Sequence, residues 1–142
     1  MSPTNTPMRS QVVSVLIEQP FDQVYGFLLD PLNFPSWGPV ESPEIHHIGG
    51  GDWLVDLPGG RAVLRFTEPN VYGVLDFRSF PEGGEPSAPV PARVMANGDS
   101  SQLELHWRQR PGISDGQFAA EVERVQHRLE ILKALLESEP AP

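Results

Sequence analysis

Hydrophobic and polar positions along the chain follow two periods in turn. Gln11 to Glu18 is short and rich in β-branched residues, which predicts a strand. Pro20 ends it, and Phe21, Val24, Tyr25, Leu28 and Leu29 then recur at helical spacing as far as Asp30. Pro31 closes that helix, because the residue before a proline is pushed out of the α region. Leu32 to Trp37 predicts a short second helical turn with Trp37 as its apolar anchor.

Short strands separated by turn residues come next. Ile45 to Ile48 is closed by Gly49, Gly50 and Gly51. Asp52 to Leu57 alternates cleanly, with Trp53, Val55 and Leu57 on one side. Pro58, Gly59 and Gly60 make a turn before Arg61 to Thr67, and Pro69-Asn70 makes another before Tyr72 to Phe80. Pro81 to Pro91 holds four prolines and two glycines and reads as a loop, with the option of a lid. Ala92 to Ala96 and Gln102 to Gln109 flank Asn97, Gly98 and Asp99, a hairpin signal.

The last element is the clearest. Ser114 and Gln117 have the spacing of a capping box. Phe118, Val122, Val125, Leu129, Leu132 and Leu136 follow at alternating steps of four and three, an apolar stripe along a helix of about six turns. Glu121, Glu123, Arg124, His127, Arg128 and Lys133 are assigned to its solvated side. A strand, two short helices, six strands and one long helix make an α+β chain with an antiparallel sheet. The expected organisation is a disordered lead-in over 1–9, one domain over 10–137 and a tail over 138–142.

Parity then assigns faces. Across a two-residue turn, paired positions have opposite parity, so a turn at Pro69-Asn70 groups Leu64 and Phe66 with Leu75 and Phe77. Arg61, Arg65, Asp76 and Arg78 take the other face. The second hairpin groups Ala92 and Val94 with Leu103, Leu105 and Trp107, and sets Arg93, Glu104, His106 and Arg108 opposite. One face is apolar through four strands, and the long helix has to bury its stripe there. A curved sheet on a single helix leaves a concave interior, the usual place for a small molecule in a domain this size. A solid core closed by the same aromatic rings is the competing reading.

Composition narrows the classes. At 142 residues the chain is one domain, long enough to bury roughly two-thirds of its unfolded surface without staples. It has no cysteine, which removes disulfide scaffolds, thiolate metal sites and cysteine nucleophiles. A net charge of -9 lacks the basic footprint of a nucleic-acid or anionic-membrane binder. With no signal-peptide core and no apolar run near the ~20 residues of a membrane span, the expected compartment is the cytoplasm.

Residues 13–31, from Val13 through the Asp30-Pro31 pair, together with Asn33 to Trp37, resemble the helix-grip superfamily that includes START lipid-transfer domains, plant Bet v 1-type proteins and polyketide cyclases (SRPBCC). Arg65-Phe66, Gly73 to Asp76, Arg93-Val94, Asn97-Gly98 and Arg110 to Asp115 resemble an uncharacterised bacterial branch of it. The resemblance covers roughly residues 11–137. It implies a seven-stranded curved antiparallel sheet wrapped around the C-terminal helix, with a cavity between them that binds lipids, polyketides or aromatic metabolites in some relatives. Fold names the site and not the chemistry.

The expected lining is Trp37, Trp53, Leu64, Phe66, Leu75, Phe77, Val94, Leu105, Trp107, Phe118, Val122 and Val125, around an apolar or aromatic ligand. No metal site is expected, since His46, His47, His106 and His127 lack convergent ligand spacing and only one of His46 and His47 can point inward. No cofactor fingerprint is present either. A cyclase or dehydratase using Arg65, Asp76, Arg93 or His106 is the alternative, against an outer-face ion-pair ladder of Arg65, Asp76, Arg93 and Glu104. A chaperone-activator-like interaction module with a solid core is the third reading. The sequence leaves a homodimer open.

Overall fold

The structure, a computed structural model, describes residues 7–138, so the outer parts of the expected lead-in and tail (1–6 and 139–142) lie outside the described residues. Strand β1 (Ser10–Ile17) leads into helix α1 (Phe21–Leu29) and a 3-10 helix at Pro31–Ser36. Six strands follow: β2 (Ile45–Gly49), β3 (Asp52–Leu57), β4 (Gly60–Phe66), β5 (Phe77–Pro81), β6 (Ala92–Asn97) and β7 (Ser100–Arg108). Helix α2 (Asp115–Glu137) closes the chain. The fold is α+β with antiparallel pairing throughout.

The strands form two sheets, β1-β7-β6 and β2-β3-β4-β5, where one was expected. An irregular seam joins them through isolated bridges at Val74–Arg93 and Phe77–Val90. The Leu75 N–H donates to the Ala92 carbonyl at 2.8 Å and the Val94 N–H to the Gly73 carbonyl at 2.9 Å. The Ala92 N–H goes instead to the Asp76 carboxylate at 2.9 Å, and a side chain in that place interrupts the ladder. Gly73 sits at φ +72°, and a Cβ there would collide with the Val94 carbonyl oxygen, so only glycine lets the two backbones approach.

The seam corrects the sequence reading. No two-residue turn forms at Pro69-Asn70; Phe66 pairs with Phe77, and residues 67–76 form a loop that the expected strand Tyr72–Phe80 had absorbed. Asn70 organises this loop, its side-chain oxygen accepting from the Tyr72 and Val74 N–H groups and its backbone N–H donating to the Tyr25 hydroxyl at 2.9 Å. The parity of the pairing is unchanged, so Leu64, Phe66 and Phe77 still share the concave face while Arg65 and Arg78 pair on the convex one.

Helix α2 starts on the expected capping box, with the Ser114 hydroxyl on the Gln117 N–H and the Gln117 side chain on the Ser114 N–H. Its two halves differ. Leu129, Leu132 and Leu136 are 0–1% exposed, packed with Val13, Val15, Ile17, Val94, Leu103 and Leu105 of β1, β6 and β7. Val122 and Val125 of the first half reach the same core only partly buried.

Polar contacts also seal the second half. The Lys133 ammonium donates to the Leu16 carbonyl at 2.7 Å, Gln126 to the Ser14 carbonyl at 3.3 Å, and Glu137 accepts the Glu18 N–H at 2.7 Å. These side chains cover the outward backbone groups of edge strand β1 and blunt its capacity to pair with another chain. Lys133 is therefore not on a solvated side, as the helical stripe had placed it, and also pairs with Glu137 at 2.6 Å; Glu121, its side chain 14% exposed, is not there either.

Candidate functional site

The concave face carries the expected lining in two groups. Leu64 is buried with Val55 and Ala62, and Phe66 packs on them. Val94 and Leu105 belong to the larger core, against which Trp37, Leu75, Phe77, Trp107, Val122 and Val125 pack. Phe118 is buried on the first turn of α2. Trp53 stands apart, its ring 4.8 Å from that of His47. The structure thus brings Trp37, Leu75, Phe77, Trp107, Val122 and Val125 around one core, with Leu64 and Phe66 on the neighbouring cluster.

Phe34 joins the two groups, and the sequence reading passed over it. Its ring meets Trp37 edge-on at 5.5 Å and Phe66 at 6.5 Å. A spacing of three residues in a 3-10 helix stacks Phe34 and Trp37 on one side, and that was the available signal. Gly38 is needed beside it, since a Cβ there would press on the Phe34 ring at 2.5–2.7 Å.

Eight of the twelve expected lining residues are partly exposed, while Leu64, Val94, Leu105 and Phe118 are buried with the core. Trp37, Trp53, Phe66, Leu75, Phe77, Trp107, Val122 and Val125 all retain solvent access, whereas the leucines of the second half of α2 have none. The most exposed large apolar side chains, Val12, Leu16, Leu32, Ile48, Val71 and Tyr72 among them, lie outside this set.

A separate open groove of about 610 Å³ runs along the outer edge of β1, lined by Ser14, Val15, Leu16, Gln126, Glu130, Lys133, Ala134 and Glu137. None of the expected lining residues borders it, and Gln126, Lys133 and Glu137 are already engaged with β1 there.

Of the acid–base set, Arg65, Arg93 and His106 point away from the concave face. Arg65 makes a two-point pair with Asp52 at 2.7 and 3.0 Å and lies 5.2 Å over the Phe80 ring on the convex side. Arg93 is exposed and donates to the Tyr72 carbonyl at 3.1 Å. His106 is exposed between inward Leu105 and Trp107. Asp76 is occupied at the seam, and Glu104 accepts from Gln102 at 3.1 Å. The expected ladder takes a different form, with Asp52 in the place given to Asp76. Ser87 of the 81–91 loop meets outer-face Arg78 at 2.6 Å, which ties that loop to the convex side.

His47 is opposite Trp53 in the β2–β3 register and exposed, while His46 faces Glu44 at 3.7 Å on the other side. The His47 Nε2 lies 2.7 Å from the Gly50 carbonyl, which can only accept, so Nε2 is the donor of that contact. Among the described residues no group of three His, Cys, Asp or Glu side chains is arranged to hold a metal ion. No helix among them is long and apolar enough to cross a membrane.

Two carboxyls are held below their usual range: Asp52 by its hydrogen bonds with Arg65, and Glu137 by Lys133 and then by the Glu18 N–H. A carboxylate with a depressed folded pKa contributes stability above the unfolded range and loses it as pH falls through the folded value. Unfolding stability is therefore expected to fall as pH drops below the ordinary carboxylate range, and Asp52→Asn with Glu137→Gln to flatten that fall. Both pairs are partly exposed, so each accounts for no more than about 1 kcal/mol in urea titrations run across the acid range.

No protein-family model and no curated protein sequence matches this chain. Solved structures do. DynU16, a protein of the dynemicin biosynthetic locus, superposes with a TM-score of 0.68 at 20% identity; the match takes in 93% of this chain, which spans about half (48%) of that one. The Aha1 dimer from Colwellia psychrerythraea gives a TM-score of 0.71 at 15% identity, covering 92% of this chain and 98% of that one. The Zhui aromatase/cyclase from Streptomyces sp. R1128 gives 0.64 at 19% identity, covering 92% and 94%. With its antiparallel strands, its C-terminal helix and these superpositions, the chain shares the overall fold of these proteins, strands gripping a C-terminal helix.

Proposed function

We propose that this protein binds an apolar or aromatic small molecule between the concave face of its sheets and the first half of α2. The observation that carries the reading is the contrast along one helix: Leu129, Leu132 and Leu136 are sealed, while Val122 and Val125 stay partly exposed, as do Trp37, Phe77 and Trp107 packed on the same core. Accessible apolar surface on a concave, rigid scaffold is worth about 25 cal/mol per Å² when a ligand covers it, before ordering costs are subtracted. Trp37, Phe66, Phe77 and Trp107 supply most of that surface, with Trp53, Leu64, Leu75, Val94, Leu105 and Phe118 around them. Native mass spectrometry of freshly purified protein tests this. An added mass that denaturation releases is expected, and a bare chain from every preparation counts against the reading.

A cyclase- or dehydratase-like reading is favoured by two observations: the fold likeness to an aromatase/cyclase, and a histidine, His47, across from Trp53 in the β2–β3 register. It ranks second because Arg65, Arg93 and His106, the residues assigned to that chemistry, lie off the concave face.

A further inference from the structure

The indole of Trp107 is on the concave face, and its Nε1–H donates to the Glu121 carboxylate at 3.2 Å. The other carboxylate oxygen takes the Arg110 guanidinium, in the loop between β7 and α2. Glu121 is thereby enclosed, its side chain 14% exposed, while Arg110 is 67% exposed with one nitrogen committed. A carboxylate buried to this degree between an indole and a guanidinium fixes where the arginine stands. It stands at the end of α2 where the apolar strip opens. Arg110 then has further N–H donors turned to solvent, in the planar fork that matches a carboxylate.

The surroundings favour an anion. The chain carries a net charge of -9, and Arg9 joins Arg110 near the start of α2, where the Gln109 N–H donates to the Arg9 carbonyl at 2.8 Å. Two acids face them: Asp115, 3.4 Å from Arg9, and Glu121. The first turns of α2 add the positive end of its dipole. An exposed arginine fixed beside a partly exposed indole is placed to hold the charged end of an otherwise apolar molecule.

From this geometry we infer that Arg110, positioned by Glu121, recognises the carboxylate of an amphiphilic organic acid whose apolar body lies against Trp107, Val122 and Val125. The inference rests on the binding proposed above and names its ligand class. Glu121 is a positioning residue here, and Arg110 is the group that meets the ligand.

The test compares naphthalene-1-acetate with its neutral analogue 2-(1-naphthyl)ethanol, each titrated by tryptophan fluorescence at low ionic strength. The native chain is expected to prefer the acid by about tenfold, the scale of one charge-assisted hydrogen bond, and to lose that preference as salt is added. Arg110→Met is expected to bring the two affinities together while leaving the alcohol within about twofold of its native value. Arg110→Lys, which keeps the charge without the fork, should retain part of the preference. Equal affinity of the native chain for both probes overturns the inference and leaves the binding reading standing. So does an equal loss of both in Arg110→Met, the mark of a structural staple. Binding of neither probe to the native chain sinks the parent reading, and the inference with it.

Discussion

Replacing Phe77 with arginine abolishes uptake of a neutral apolar probe and leaves the fold standing. Phe77 opens β5 at the seam, pairs with Phe66 on the concave face and exchanges backbone hydrogen bonds with Val90 at 3.2 and 2.7 Å. Those bonds involve no side-chain atoms and survive the change. The ring is only half-buried, so an arginine stem can lie along the same surface and carry its guanidinium to water. A bound apolar molecule would have to desolvate that charge, and the expected loss is at least about a hundredfold in affinity. Titration with N-phenyl-1-naphthylamine measures it, beside a circular-dichroism melt that reports the fold. Unchanged uptake would mean that the concave face has been assigned to the wrong side.

The second large effect is on stability and compares two positions on one helix. Leu132 is 0% exposed in the sealed half of α2, so Leu132→Ala leaves a cavity among Ile17, Leu103 and their neighbours and is expected to cost about 2–5 kcal/mol. Val125 lies along the same stripe but borders accessible space, so Val125→Ala removes little from water and is expected to cost less than about 1 kcal/mol. Urea titration of both variants gives the difference directly. Equal costs would mean that the first half of α2 is as tightly packed as the second.

Much of the fold was legible because local chemistry and periodicity agreed. Ser114 and Gln117 announce the start of α2, Asp30-Pro31 the end of α1, and Asn97-Gly98-Asp99 the hairpin between β6 and β7. Pro69-Asn70 misled because an asparagine in a turn and an asparagine holding a longer loop have the same one-dimensional signature. What distinguishes them is the Tyr25 hydroxyl, forty-five residues away in sequence. The face assignment survived that error because the true register preserves parity, and only an odd slip would have reversed it.

The candidate site was legible as a list of apolar residues and illegible as an arrangement. Glu121 looks solvated on a helical wheel; its burial depends on Trp107 arriving from β7 and Arg110 from the following loop. Arg65 and Asp76 looked like partners from their parity, yet Asp52 lies across from Arg65 in the β3–β4 register and Asp76 is taken by the backbone at the seam. Such choices are tertiary, set by which strand neighbours which.

The most direct test of the central claim is a methyl-labelled NMR titration with N-phenyl-1-naphthylamine, which reads where the ligand lies. Saturating shifts are expected at the methyl groups of Leu75, Val122 and Val125, with those of Leu129, Leu132 and Leu136 unmoved. Shifts confined to Val15 and Leu16, beside the outer groove along β1, or no saturable shift at all, would contradict it.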